Sequence, residues 1–315
     1  MMPLQYIYDQ YLRYRQVSGL KESSVTHVTW MLHSLQKEMK YDAVLTQDYL
    51  SRWCQRRENE SLISYRTRLS HINNFINFSN QRGWSNLIVP RPVVRHSYGA
   101  PSTHCHMLDE EELRNFFRAI DEENWGKQLA GRLNKIEIPV FYRLLYSTGM
   151  RITEARMLRK CDVNLNSGII TIKQTKGYNE RIIALHDSLS DLLFRYEAKI
   201  ETIIPQRNTF FPDKRDGVHC VQWVNVHFKR LWYKYNKTNC VAYSFRHNYA
   251  TVNINAWREN DGLEVTDKLV ALSKSMGHAS IRSTMYYYHM TPWFNDIISN
   301  LDMNDDCIIP NIPLL

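Results

Sequence analysis

The stretch IVPRPVVRHSYGAPSTHCHM, residues 88–107, breaks the chain in two. Pro90, Pro92 and Pro101 remove backbone donors and fix φ, and no apolar residue recurs there at helical or strand spacing. No regular element runs through it, so residues 89–106 read as an interdomain linker. A chain of 315 residues divided at that point yields two domains with room for a core each.

Residues 1–88 read as helices. Ser24 opens a run in which Val25, Val28, Met31, Leu32 and Leu35 share one helical face, and Thr46 precedes a second with Leu50, Trp53 and Cys54. Ile63 to Phe78 supplies a third through Leu69, Ile72, Phe75 and Ile76. Arg52, Arg56, Arg57, Arg66 and Arg68 stand between these faces, as a solvated rim or as a surface turned to DNA. Residues 1–100 hold 13 Lys and Arg against 7 Asp and Glu, whereas the remainder holds 27 against 25. A basic first third suits a polyanion, because neutralised phosphates release counterions; basic surfaces are common, so charge alone makes nucleic acid a modest favourite.

The second domain, residues 107–290, is mixed: mainly α with a small β-hairpin, an α+β arrangement. Asp109 and Glu112 form a capping pair for its first helix. A helix over about 136–147 runs into Thr148-Gly149, and SGIITIKQTKGYNERIIAL alternates like a hairpin with Gly177 and Asn179 in its turn. Further helices are predicted near 187–203, 219–235, 244–256 and 266–276. In the tail, 291–315, Thr291 caps and Pro292 starts a helix with Trp293, Phe294, Ile297, Ile298 and Leu301 on one face.

Several function classes drop out. No apolar run is long enough to cross a bilayer and MMPLQYIYDQ lacks the pattern of a secretion signal, so the expectation is a cytoplasmic protein, nucleoid-associated if bacterial. The cysteines at 54, 105, 161, 220, 240 and 307 are scattered and form no CxxC pair, which favours reduced thiols. His104-Cys105-His106 has no second ligand pair at finger spacing, so no metal is assigned. There is no Walker loop or dinucleotide glycine fingerprint.

Singly, Arg151 in STGMRITEARML, Lys176 in QTKGYNERI, Arg246 in AYSFRHNYAT and His278 in SMGH are ordinary structural residues. Their order is not ordinary. TG-x-R-x-x-E, a hairpin TKG, then R-H, then GH, then a tyrosine nine residues past that histidine resembles the tyrosine recombinases, or phage-type integrases. The resemblance spans about residues 107–290, and the N-terminal helices match that family's DNA-clamping domain in size and position. It implies a two-domain, C-shaped clamp on double-stranded DNA. It also implies site-specific recombination (integration, excision, inversion or resolution) through a 3′-phosphotyrosyl intermediate and a Holliday junction.

Carried over by motif, Tyr287 is the nucleophile among the three consecutive tyrosines, and Tyr287-Tyr288-His289 matches the usual Y-x-H ending. Arg151 and Arg246 take the places of the arginines on the non-bridging oxygens, where planar forked donors suit the developing charge. Lys176 matches the general acid for the departing 5′ hydroxyl, and His278 the phosphate-bonding histidine. Glu154, one turn from Arg151, supports a cationic neighbour. No cofactor is implied, since a covalent tyrosyl link preserves the bond energy for rejoining. The resemblance also implies a homotetramer on two DNA sites, with room for accessory proteins, and a helix after the nucleophile that docks on a neighbouring protomer.

One position departs from the pattern. Where a histidine most often stands three residues before the second arginine, this chain has Tyr243, whose phenol, with an ordinary pKa of about 10, is a poor base. His247, adjacent to Arg246, is expected to point away from the phosphate. VNINAWRENDGLEVTD lengthens the segment between Arg246 and His278. A DNA-binding protein of this fold that has lost cleavage, and a type IB topoisomerase-like relaxing enzyme, remain as alternatives.

Overall fold

The computed structural model describes residues 2–18, 22–37, 39, 43–90, 106–173, 180–257, 265–278 and 280–288, with 22–27 and 288 described by backbone alone. Lys176, His289, the tail 291–315 and most of the linker lie outside these residues. The chain divides into two compact units, Met1–Ala100 and Pro101–Leu315. No helix among the described residues is long and apolar enough to cross a membrane.

The first unit comprises α1 (Leu4–Val17), α2 (Glu22–Gln36), α3 (Gln47–Trp53) and α4 (Leu62–Gln81). Thr46 caps α3 by accepting from the Tyr49 N–H, and Ser61 caps α4 by accepting from Ser64 N–H. The apolar faces meet as their spacing predicts: Val28, Met31, Leu32 and Leu35 of α2 pack with Leu50, Leu69, Ile72, Phe75 and Ile76 in one core. α1 joins that core through Leu4, Ile7 and Tyr11.

Arg68 departs from the DNA-facing expectation. Its side chain is 8% exposed. Nε and Nη2 donate to the Glu60 carboxylate at 2.7 Å each, and Nη1 and Nη2 donate to the carbonyls of Trp53 and Gln55 at 2.7 and 2.9 Å. Those carbonyls belong to the end of α3 and the loop after it, where a helix leaves acceptors without intrahelical partners. The guanidinium satisfies them and closes the α3–α4 connection.

The second unit is built on α6 (Leu129–Thr148), which packs against α5 (Glu110–Asp121), α8 (Asp187–Glu201) and α10 (Ser244–Asn255). α5 starts with the expected capping box between Asp109 and Glu112. α9 (Val221–Tyr235) lies against α5 and against α7 (Ile152–Arg156). Phe116, Tyr142, Phe228, Trp232 and Phe245 make an aromatic centre with centroid separations between 4.9 and 6.4 Å. Such contacts fix orientation as well as burying area, so Phe245 sets the rotation of α10 about its axis.

A three-stranded antiparallel sheet, β1 (Val163–Asn164), β2 (Ile169–Ile172) and β3 (Arg181–Ala184), contains the expected hairpin as β2–β3. The last β2–β3 pair is Ile172 with Arg181, so the connection holding Lys176 begins and ends there. The two-residue β1 carries too little pattern to be read from sequence. α11 (Val265–Met276) and α12 (Arg282–Tyr288) complete the unit, and α12 packs on α10 and α11.

Replacing Arg68 with Met keeps most of the packing but strands a carboxylate and two carbonyls. Denaturant unfolding of the Arg68→Met protein is expected to show a loss of roughly 3 kcal/mol, the lower end for breaking one partner out of a buried ion pair. Unchanged stability would mean that water reaches these groups.

Candidate active site

α6 ends because Gly149 takes the left-handed conformation, φ 60°, and returns its N–H to the Leu145 carbonyl. A Cβ at this glycine would sit 2.4 Å from the Tyr249 ring of α10, so the close approach of the two elements also requires glycine. The chain then turns into the short α7, with Arg151 as its N-cap residue. Glu154 closes a capping box by accepting from the Arg151 N–H at 2.8 Å, while Arg151 Nη1 donates to its other oxygen at 2.8 Å.

Glu154 holds a second guanidinium. Arg181, the first residue of β3, donates from Nη1 and Nη2 to the two carboxylate oxygens at 2.9 and 2.6 Å, and from Nε to the Ser275 carbonyl at 2.8 Å. Arg151 Nη2 reaches the Gly277 carbonyl at 2.6 Å. Gly277 has φ 65°, and a Cβ on it would lie 2.6 Å from Arg181 Nη1, so only glycine lets the turn close over both arginines.

Arg246 approaches from α10. It donates from Nη1 to the Gly149 carbonyl at 2.6 Å and from Nη2 to the Met276 carbonyl at 2.7 Å. Each Nη carries two N–H groups, so both keep a donor. Its Nε has no hydrogen-bond partner among the described residues. Phe245 occupies the aromatic core, and the next residue is rotated by about 100° onto this inner face.

His278 follows the Gly277 turn, and its Nδ1 lies 2.7 Å from Thr284 Oγ1. When that hydroxyl donates to Nδ1, the ring proton resides on Nε2. The Tyr287 ring stacks beside the imidazole, 6.1 Å between centroids and 13° between planes. Tyr287 is 5% exposed and joins a small core with Ala250, Ile254, Leu272 and Met276, whereas Tyr286 is 39% exposed. Helical phase thus separates the two neighbours.

Among the described residues the charges are unbalanced, with Arg151, Arg181 and Arg246 gathered at one carboxylate, Glu154. Burial alone would raise the Glu154 pKa, but the Arg181 and Arg151 hydrogen bonds override it and hold the carboxyl below its usual range. Burial and the fields of Arg246, Arg151 and Arg181 push the His278 imidazole down to about 4. Burial first, then the Arg151 charge, lowers Arg246. Guanidiniums that repel one another, and beside which an imidazole is held neutral, form a site for an anion with paired oxygens.

The structure brings Arg151, Glu154, Arg246, His278 and Tyr287 together. Tyr243 stands at the start of α10, 40% exposed, with its ring 4.9 Å from that of His247. His247, expected to point away from the phosphate, also has its ring 5.3 Å from that of Tyr287. In the first unit Arg52, Arg56, Arg57 and Arg66 are exposed, and the first three line one depression with Lys37 and Tyr49. Arg181 and Thr284 were missed. A charged residue in register with Ile183 on the buried face of a strand was the available signal for Arg181; nothing marked Thr284.

Residues 106–292 match the profile of the phage integrase family. The tyrosine recombinase XerD of Staphylococcus haemolyticus is 25% identical over 304 residues, covering 90% of this chain and 94% of that protein. XerD of Staphylococcus saprophyticus is 30% identical over 198 residues, and the match spans 61% of each protein. Among solved structures, a XerH site-specific recombinase bound to palindromic difH substrate in a post-cleavage complex superposes with a TM-score of 0.66. It covers 96% of both chains at 16% identity, a likeness of fold.

Glu154→Gln removes the charge and leaves two guanidiniums facing an amide. The expected loss of stability at neutral pH is roughly 3–5 kcal/mol. Because the folded-state pKa of Glu154 is depressed, its contribution is fully present above the unfolded pKa and is lost as pH falls through the folded value. Unfolding series of both proteins across acid pH check this: the gap narrows below the ordinary carboxylate range, and a gap independent of pH contradicts the assignment.

Proposed function

The chain belongs to the phage integrase family, and on that premise we propose that it is a site-specific DNA recombinase that cuts and rejoins strands through a tyrosyl link to the 3′ phosphate. The observation that carries the reading is the convergence of Arg151, Arg246, His278 and the Tyr287 ring at one place, although Arg151 and Gly277 are 126 residues apart. Double-stranded DNA is the partner, and four copies on two sites complete an exchange through a four-way junction.

The chemistry follows from the donors. The scissile phosphate occupies the space between the guanidiniums, where the free N–H groups of Arg151 and Arg246 bind its non-bridging oxygens. These donors are already fixed by Gly277, Gly149 and Met276 carbonyls, so little reorganisation opposes the growth of charge on the phosphorane. His278 adds an Nε2–H donor, and its depressed pKa keeps it from adding a further positive charge. Tyr287 Oη attacks phosphorus, the bond to the 5′ oxygen breaks, and Lys176 supplies that oxygen's proton. Arg52, Arg56, Arg57 and Arg66 hold flanking backbone phosphates, which position the duplex without reading it.

A nicked suicide substrate, whose short cut end diffuses away, tests the reading. The wild-type protein is expected to be trapped covalently, and Tyr287→Phe to bind the same DNA without becoming linked. Arg151→Ala and Arg246→Ala lower single-turnover cleavage by about 10²- to 10³-fold, the scale for losing one preorganised donor. Linkage in the phenylalanine variant, or near-normal cleavage by either alanine variant, refutes the assignment.

Lys176 is tested by the leaving group. A substrate with sulfur in place of the bridging 5′ oxygen expels a thiolate that needs no acid, so it restores much of the rate lost in Lys176→Ala. Cleavage by the wild-type protein persists in EDTA, because the guanidiniums and Lys176 carry the charge that a metal would otherwise supply. Failure of sulfur to rescue removes Lys176 from this role.

A further inference from the structure

The reaction described above has a donor for the leaving oxygen but no acceptor for the nucleophile's proton. Tyr243 occupies the position that would supply one, and phenols as a class are poor bases near neutral pH. One turn further along α10 stands His247. Its ring contacts that of Tyr243 edge-on at 4.9 Å and that of Tyr287 at 5.3 Å, with 53° between planes. Its ring therefore touches both the residue that departs from the pattern and the residue that attacks.

Two observations separate His247 from the other imidazole nearby. Its Nδ1 is buried without a hydrogen-bond partner among the described residues, an uncommon state for a buried polar atom. Nδ1 of His278, by contrast, is paired with Thr284 Oγ1, and its ring lies nearly parallel to the phenol, whereas that of His247 is tilted against it by 53°. His278 also feels three guanidiniums, whereas His247 feels Arg246. A proton arriving on His278 would meet far more repulsion.

We propose that His247 accepts the proton of Tyr287 during cleavage and returns it during rejoining. The proposal rests on Tyr287 being the nucleophile. As Tyr287 Oη bonds to phosphorus, its O–H bond breaks and the proton passes to the unpartnered ring nitrogen of His247, directly or through one water. The electron pair of that nitrogen forms the new N–H bond. The imidazolium stands against the phosphorane, whose negative charge offsets it. In rejoining, a DNA 5′ hydroxyl attacks the phosphotyrosine and gives its proton back to Lys176, left neutral by cleavage, while the Tyr287 oxygen leaves and recovers its proton from His247. The groups facing the imidazole are Tyr243 and Arg246 of α10 and Tyr287 of α12. Because burial and then Arg246 lower its pKa, His247 is neutral at physiological pH and stays available somewhat below the ordinary histidine range.

The test uses the full-length protein, the nicked suicide substrate under single-turnover conditions, and gel-shift binding as a parallel measurement. His247→Asn is expected to bind DNA as the wild type does and to cleave roughly 10²- to 10⁴-fold more slowly, the range for a positioned proton acceptor. Its rate loses the acid-side fall that the wild type shows below the ordinary histidine range. Adding Tyr243→His to His247→Asn restores part of the rate by placing an imidazole at the neighbouring position. His247→Gly is rescued by free imidazole but not by sulfur in the leaving group, which separates it from Lys176→Ala. Undiminished cleavage by His247→Asn with the covalent link still on Tyr287 overturns the proposal. So does a folded, DNA-binding His247→Gly that imidazole does not accelerate. Mapping of the wild-type link to another tyrosine instead refutes the nucleophile assignment beneath it.

Discussion

The site depends on one buried carboxylate. Glu154 accepts from the backbone and side chain of Arg151 and from both Nη groups of Arg181. Burying an acid is unfavourable unless it is paired and its lone pairs are satisfied, and here four donors do so. Each arginine then extends the connection. Arg181 ties the base of the hairpin to the end of α11 through Ser275, and Arg151 ties the start of α7 to the following turn through Gly277. Three segments distant in sequence are thereby held in one geometry, and the two glycines allow the backbone close enough for these bonds to form.

Among the described residues a single carboxylate faces three guanidiniums, a shortfall that favours an anion between them. Were the charges matched, a phosphate would gain little on entering. Burial and then the field of the guanidiniums lower His278 to about 4, and an anion placed among them would relieve their mutual repulsion. Arg181 differs from the other two in that Nε and both Nη groups each donate to a protein acceptor, which leaves one N–H on each Nη. Arg246 commits two N–H groups and keeps an Nε with no hydrogen-bond partner among the described residues.

The helices and the hairpin were legible in the sequence because apolar spacing and turn residues are local signals. The site was legible only as an ordered series of motifs, none informative alone. What escaped was tertiary. Arg68 reads as a surface cation because no local pattern reveals that the Trp53 and Gln55 carbonyls lack partners. The contact of His247 with Tyr287 is hidden too, because helical phase fixes the direction of a side chain but not which element will cover it; α12 brings Tyr287 there. Thr284 is invisible for the same reason, since its partner His278 is defined by a turn. Arg181 alone left a trace, as a charge at a buried strand position.

Tyr287 lies on α12, so its position is conditional on the packing of that helix. A helix of seven residues cannot sustain itself in water, because nucleation is costly and few bonds follow. Its conformation depends on packing against α10 and α11, where Tyr287 enters a core with Ile254, Leu272 and Met276. The same packing sets the His247 and Tyr287 rings against each other, and Thr284 of α12 orients the His278 imidazole. Docking of α12 therefore sets the Tyr287 ring, its contact with His247 and the Thr284 partner of His278 together. The bonds among Arg151, Glu154, Arg181 and Arg246 run to α6, α7, β3 and the end of α11 and involve no residue of α12.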